Sequence, residues 1–323
     1  MEIQVDVRKA VWSRYWSHGV AHSCGGTYGN RYEGALAQFW RTACNGLRPG
    51  ARMLDIATGN GAVPQLLLAS TANSISCDAI DLARPEPQWI AALPRHKRGR
   101  IRFHGEQAAE TLPFADGHFD LVSSQYGLEY TDLARSVPEI LRVLRPGGRV
   151  CLITHHADAR PVRLAAAELR HLDWLQASEG LLETAGAMIE PMARAASEAG
   201  RASLVGDAAA NAVRARFNTL QQEATAQAAD SECPDVLAET RVALGQILGL
   251  AAGQGAEAAR EALAMLTQEL MDSRVRLQEL CDFALDENGA AALATALGGS
   301  ANDVRPLRDN GVLMGWGIQV RPG

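Results

Sequence analysis

The sequence predicts an α/β fold: a doubly wound sheet of seven strands, the last pair antiparallel, with a large α-helical insertion after the fifth strand. Three observations predict it. Short apolar segments alternate with helical or loop segments between residues 51 and 155, as parallel strands joined by crossovers require. Residues 161–300 hold 35 alanines and only three aromatics, so this block reads as helix almost throughout. Two strand-like runs, DVRPLRD (303–309) and GVLMGWGIQV (311–320), then follow as an antiparallel pair, so the sheet is interrupted by about 130 residues and completed afterwards.

At 323 residues, 47% hydrophobic and 21% charged, the chain can bury a large core as one sizeable domain or a domain with an insertion. A formal net charge of −6 and a pI near 5.8, with no basic stripe, disfavour a nucleic-acid partner and make a small molecule the default. The longest apolar stretches, such as LGQILGLAAG (244–253), fall short of the roughly 20 residues a membrane span needs, so no span is predicted. The N-terminus carries acids early and lacks an apolar signal core. Six cysteines without paired spacing read as free thiols in a reducing cytoplasm, which is the predicted location.

Seven of the 17 aromatics lie in residues 12–40. The spacing predicts a helix near 8–18, a loop HSCGGTYGN, and a second helix from about 31 whose Tyr32, Leu36, Phe39, Trp40, Ala43 and Leu47 share one buried face. The five strand candidates are ARMLDIA (51–57), SISCDAID (74–81), RIRFHG (100–105), FDLVSSQ (119–125) and GRVCLIT (148–154). A helix near 133–144 precedes the fifth, with Gly147 and Gly148 as its stop. In the Ala-rich block, Leu263, Leu266, Leu270, Leu277, Leu280 and Ala284 form a heptad-like seam. Packing within the insertion and pairing as a homodimer both satisfy that seam.

The chemistry concentrates in MLDIATGNGAVPQLLLAS (53–70). A strand runs to Asp55, a loop holds Gly59 and Gly61, and Pro64 stands where it can open a helix. Glycines let backbone approach a ligand, and the helix start offers unpaired N–H groups. Asp55 beside the loop is a poor neighbour for a pyrophosphate but a good acceptor for an ammonium group. Pro64 also takes the third glycine position of the dinucleotide spacing, so a cationic, amino-acid-bearing nucleoside fits better than a dinucleotide, and an NAD-dependent oxidoreductase is disfavoured. Twenty residues after Gly61, Asp81 ends the second strand, where a carboxylate can accept both ribose hydroxyls; its rival Asp78 lies inside the strand.

With these residues in place, the chain resembles the class I S-adenosylmethionine-dependent methyltransferases, especially the group that includes the ubiquinone/menaquinone C-methyltransferases. LDIATGNG, AIDLA, AETLPFADGHFDLVSSQYGLEY and LRVLRPGGRV occur in the family's order, and the resemblance covers about residues 28–155 plus the last 20. It implies a Rossmann-like methyltransferase sheet and S-adenosylmethionine as cofactor, leaving S-adenosylhomocysteine as product. By analogy Asp55 meets the methionine amino group, Ala57, Thr58, Gly59, Asn60 and Gly61 form the loop, and Asp81 with Leu82 holds the ribose. Gln107, Ala108 and Ala109 flank adenine, Ala108 standing where the family usually has an aspartate. Ser124, Gln125 and Tyr126 line the sulfonium end. The first loop glycine of the family is Ala57 here, a change tolerated where φ need not be positive.

Composition and the resemblance together divide the chain into an N-terminal helical lid (1–48), a cofactor-binding core (49–156), a helical insertion serving as substrate cap or dimer surface (157–285) and the completion of the core (286–323). The candidate bases are His155 and His156 at the end of the fifth strand and His18 and His22 in the aromatic N-terminal segment. For a single histidine, a capping or core role is the commoner one. Tyr15, Trp16 and Tyr28 could cage a sulfonium by cation–π attraction, though such a face is more often core. Glu129 and Tyr126 face either the acceptor or a helix end. The spacing of His18, His22 and Cys24 invites zinc but lacks a complementary pair, so no metal is predicted.

The function expected is methyl transfer to a small organic acceptor. The alternative is a non-catalytic S-adenosylmethionine-binding protein that uses the insertion as a regulatory or assembly interface. Nucleic-acid methylation ranks lower, because SSQYGLEY follows the fourth strand in place of the Asn/Asp-Pro-Pro-aromatic signature.

Overall fold

A computed structural model describes residues 2–20, 34–70 and 75–323. It divides into two compact units, Met1–Arg163 with Glu279–Gly323, and Leu164–Gln278. The second is shorter at both ends than the 157–285 insertion expected from composition, because the helices on either side of it begin or end in the first unit.

In chain order the first unit holds α1 (Glu2–Ser17), α2 (Gly34–Cys44), β1 (Arg52–Ile56), α3 (Ala62–Ser70), β2 (Ser76–Ile80), the single turn α4 (Arg95–Arg98), β3 (Ile101–His104), β4 (Phe119–Gln125), α5 (Leu133–Val143) and β5 (Leu144–Thr154). Next come α6 (Arg160–Leu175), α7 (Leu181–Arg194), α8 (Glu198–Leu204), α9 (Ala208–Ala229), α10 (Asp235–Gln254) and α11 (Ala256–Phe283). The chain then returns as α12 (Glu287–Ala296), β6 (Val304–Asp309) and β7 (Val312–Val320).

The seven strands lie in the order β3-β2-β1-β4-β5-β7-β6, with β1 to β5 parallel and β7 antiparallel to both its neighbours. β6 and β7 turn through Asn310-Gly311, both at positive φ (47° and 82°), the pairing a tight right-twisting hairpin selects. β4 is buried without a break from Phe119 to Ser124, as a central strand covered on both faces must be. One face packs on α2 and α3 through Phe39, Trp40, Leu67 and Leu121; the other packs on α5 and α12 through Val122, Ile140, Leu152 and Leu293.

α5 does not end on glycine. Asp132 caps its start by accepting from the Ala134 N–H, and it ends at Val143, whose neighbour Leu144 already pairs with Phe119 in the sheet. The register then jumps from Phe119–Leu144 to Leu121–Arg149, so Gly147 (φ 74°) and Gly148 lie in a bulge within β5 and are not the helix stop the sequence suggested.

The second unit has its own apolar core, built from Leu172, Leu181, Ile189, Phe217, Leu237, Leu244 and Leu270 among others. Leu263, Leu266 and Leu277 of the seam pack against that core, which gives these positions a partner inside the unit. Among the described residues one helix, α10, is long and apolar enough to cross a bilayer by length and composition. Counting through its few charged residues, and not only its longest uncharged run, makes it so. Its Leu237, Thr240, Leu244 and Ala251 are buried in the unit's core.

Candidate functional site

The first unit contains a cavity at the carboxyl ends of β1, β2 and β4, the place where open parallel sheets bind ligands. Its floor is Asp55 to Thr58 of the β1 loop; Asp81 to Ala83 follow β2, Gln107 to Glu110 follow β3, and Gln125 to Gly127 leave β4. Arg8, Lys9, Trp12 and Trp16 of α1 form another wall.

Asp55 is 2% exposed and accepts a hydrogen bond from the Ser123 hydroxyl across the β1–β4 pairing. Burial pushes its carboxyl up to about 7, the Ser123 hydroxyl working against that shift. Asp81 lies one residue beyond β2 and accepts from the backbone N–H of Gly59 at 2.7 Å and of Ala83 at 2.8 Å. Burial raises it too, and those two N–H groups oppose the rise. The rival Asp78 is engaged elsewhere, 2.8 Å from His104 Nε2.

The loop departs from one expectation. Ala57 has φ 52°, so the alanine that replaces the family's first glycine sits in the left-handed region that disfavours a side chain. Gly59 is also left-handed (φ 54°), and Trp16 packs so closely that a β-carbon on Gly59 would stand 2.6 Å from its ring. Asn60 ties these elements together: its Nδ2 donates to the carbonyls of Trp16 and Val20, and its Oδ1 accepts from the Glu86 N–H.

α1 is fastened by charge at two points. Arg8 Nε donates to Glu279 at 2.6 Å and its Nη1 to the Tyr130 carbonyl, while Trp12 Nε1 reaches the other Glu279 oxygen at 3.3 Å. Lys9 pairs with Glu106, which also takes Arg84. At the end of β4, Trp40 Nε1 donates to Gln125 Oε1. Indole nitrogen is a donor only, so this bond fixes the amide orientation and leaves Gln125 Nε2 buried with no partner among the described residues. Trp16 Nε1 is a second buried donor of that kind.

Of the residues proposed for the cofactor, Asp55, Ala57, Thr58, Asp81, Leu82, Gln107, Ala108, Ala109, Gln125 and Tyr126 line the cavity. Gly59 lies under Trp16, and a β-carbon on Gly61 would meet Phe103. Ser124 turns its hydroxyl to accept from the Leu128 N–H, and Tyr15 packs edge-on against Trp12 and Trp16. Neither they nor Asn60 is among the lining residues. Tyr28, His22 and Cys24 fall outside the described residues.

Among the described residues the candidate bases are not part of the cavity wall. His18 is exposed beyond α1. His156 stacks on Trp316 at 4.2 Å, and its Nδ1 accepts from the Asp158 N–H. Burial lowers its pKa. His155 stacks on the cavity residue Tyr126 at 4.3 Å, and its backbone N–H and Nδ1 both reach Glu129 Oε1 at 2.9 Å. A carboxylate there selects the Nδ1–H tautomer. Sequence reasoning missed Arg8, Lys9, Trp12, Glu110, Tyr130 and Thr131 of the wall. The four-residue steps from Arg8 to Trp12 to Trp16 were the available signal.

Residues 54–152 match the family described as a methyltransferase domain. Over 119 residues the chain is 36% identical to the demethylmenaquinone methyltransferase of Beutenbergia cavernae, covering 36% of this chain and 46% of that protein. Over 110 residues it is 36% identical to the ubiquinone/menaquinone biosynthesis C-methyltransferase UbiE of Geotalea daltonii, covering 32% and 46%. The crystal structure of YcgJ from Bacillus subtilis aligns with a TM-score of 0.33 at 29% identity, over 43% of this chain and 58% of that one. The chain thus spans about half the length of the curated relatives it matches. Residues 54–152 thus match a methyltransferase domain, and over that stretch the chain resembles the ubiquinone/menaquinone C-methyltransferases.

Proposed function

We propose that this protein transfers a methyl group from S-adenosylmethionine to a small organic acceptor. The observation that carries the reading is the placement of two buried carboxylates, Asp55 and Asp81, on one cavity at the strand ends of a methyltransferase domain. The residues fit the cofactor. Asp55 is a carboxyl deprived of water that accepts from the Ser123 hydroxyl and has no cation beside it among the described residues, which is what a ligand ammonium would relieve. Asp81 stands beside the loop where ribose hydroxyls can displace or share its backbone donors. Ala108 and Ala109 offer an apolar edge for the purine.

When bound, the cofactor supplies an electrophilic methyl on sulfur, and the protein's work is placement and exclusion of water. α1 covers the cavity on one side, held by Arg8–Glu279 and Lys9–Glu106. Tyr126 and Tyr130 line the wall nearest His155, and the Glu129–His155 pair holds Tyr126's stacking partner in place. An acceptor that must lose a proton would meet these side chains first.

Calorimetry with S-adenosylhomocysteine, followed by a labelled-methyl assay on a small-molecule extract, tests the proposal. Binding that weakens in Asp55→Ala and Asp81→Ala, with label moving to one small compound, is the expected result. No binding at millimolar ligand overturns it. Binding with no transfer to any extract would instead favour the non-catalytic reading.

A further inference from the structure

On the reading proposed above, the cavity takes one charged end of its ligand at Asp55; the opposite charge has no assigned partner. Arg8 and Lys9 are the cations on the wall, and both are tied to carboxylates, Glu279 and Glu106. A zwitterion would need donors of another kind.

We propose that Gln125 is the carboxylate-binding residue of the site: its Nε2 donates to the carboxylate of an α-amino acid group whose ammonium lies at Asp55, and Trp40 is the positioning residue that aims it. The inference rests on the cofactor reading above and adds a role to one side chain within it. Three observations carry it. Ser123 hydrogen-bonds Asp55, and Gln125, two residues along the same strand, presents its side chain on the same face of the sheet. Trp40 is fully buried and can only donate, so Gln125 Oε1 is held at the indole and Nε2 is the end left for a ligand. That nitrogen is buried on a residue of the cavity wall and has no partner among the described residues. A buried donor of this kind is costly unless an acceptor arrives, and a carboxylate is the strongest acceptor available. The amide is preferable to a guanidinium here because a fixed positive charge beside Asp55 would compete with the ammonium for it.

The test uses two probes that differ only in the carboxylate, S-adenosylhomocysteine and its decarboxylated analogue S-adenosyl-3-thiopropylamine, titrated calorimetrically into the full-length chain. Gln125→Glu keeps an acceptor for Trp40 but replaces the donor with a like charge. It should weaken S-adenosylhomocysteine by about tenfold or more while leaving the amine unchanged or tighter. Gln125→Leu should lose affinity for S-adenosylhomocysteine alone, and Trp40→Phe, which frees the amide to turn, should show a smaller loss of the same selectivity. Wild-type preference for the carboxylate in both Gln125 variants, or an equal loss for both probes, overturns the assignment while the cofactor reading stands. If the wild-type chain binds neither probe, both readings fall together.

Discussion

The methyl group of Ala57 occupies the space a β-carbon on Gly127 would need: such a carbon would lie 2.4 Å from Ala57 Cβ. The loop after β1 and the turn after β4 therefore accommodate one methyl between them. Ala57 also pays a conformational cost at φ 52°, about 1 kcal/mol for a non-glycine residue. Ala57→Gly should therefore stabilise the fold by about 0.5–1 kcal/mol in urea unfolding. Gly127→Ala should destabilise the wild-type chain and be better tolerated once Ala57 is glycine. Additive effects in that double-mutant cycle would mean that the two positions do not share the space.

Trp16 and Gly59 make a second such contact, 2.6 Å for a built β-carbon, with Gly59 left-handed as well. Gly59→Ala should displace the indole and shift tryptophan fluorescence. It should also weaken S-adenosylhomocysteine, because the Gly59 N–H that orients Asp81 moves with the loop. Trp16→Ala in the same chain should recover part of the stability but not the backbone strain, so full recovery of both stability and binding would refute the strain component.

Much of the sheet was legible because its signals are local. Alternating apolar runs mark five strands, and Asn310-Gly311 marks the last hairpin. Asp55 and Asp81 were legible for the same reason, since each adjoins a strand end within one motif. The remaining wall was not. Arg8 with Glu279, Trp40 with Gln125 and Glu129 with His155 are pairs separated by 271, 85 and 26 residues, and only the folded topology brings them together. Gly147 and Gly148 misled because Gly-Gly after a helical pattern signals both a helix stop and a strand bulge. Pairing with β4, a tertiary fact, decides between them. Ala57's positive φ is likewise invisible in its side chain.

Glu129 illustrates how a buried acid can be structural and near chemistry at once. Its Oε1 accepts both the backbone N–H and Nδ1 of His155 in a site where the two side chains are 0% and 3% exposed. Glu129→Ala removes the carboxylate that both His155 donors share and should destabilise the chain by about 2–4 kcal/mol, measured by urea unfolding. Glu129→Gln keeps an oxygen for them and should lose less. If the pair also positions Tyr126 for the reaction, Glu129→Gln should alter the pH profile of methyl transfer while leaving S-adenosylhomocysteine affinity near wild type. An unchanged profile would confine the pair to stability.

Asp55 gives the protein two opposite responses to pH. Burial pushes its carboxyl from the ordinary 3.8 up to about 7, so the unliganded fold holds a proton that the unfolded chain releases. Between those values the native state binds more protons than the unfolded one, and stability should fall as pH rises from about 4 to about 7, flattening above. A ligand ammonium needs the ionised form, so S-adenosylhomocysteine should bind more tightly over the upper part of the same interval and should expel a proton as it binds. Calorimetry near pH 6.5 in two buffers of different ionisation enthalpy measures that proton directly. Asp55→Asn should remove its contribution to both slopes and weaken binding at every pH. If proton release persists undiminished in Asp55→Asn, another group is titrating and Asp55 is not the ammonium's partner.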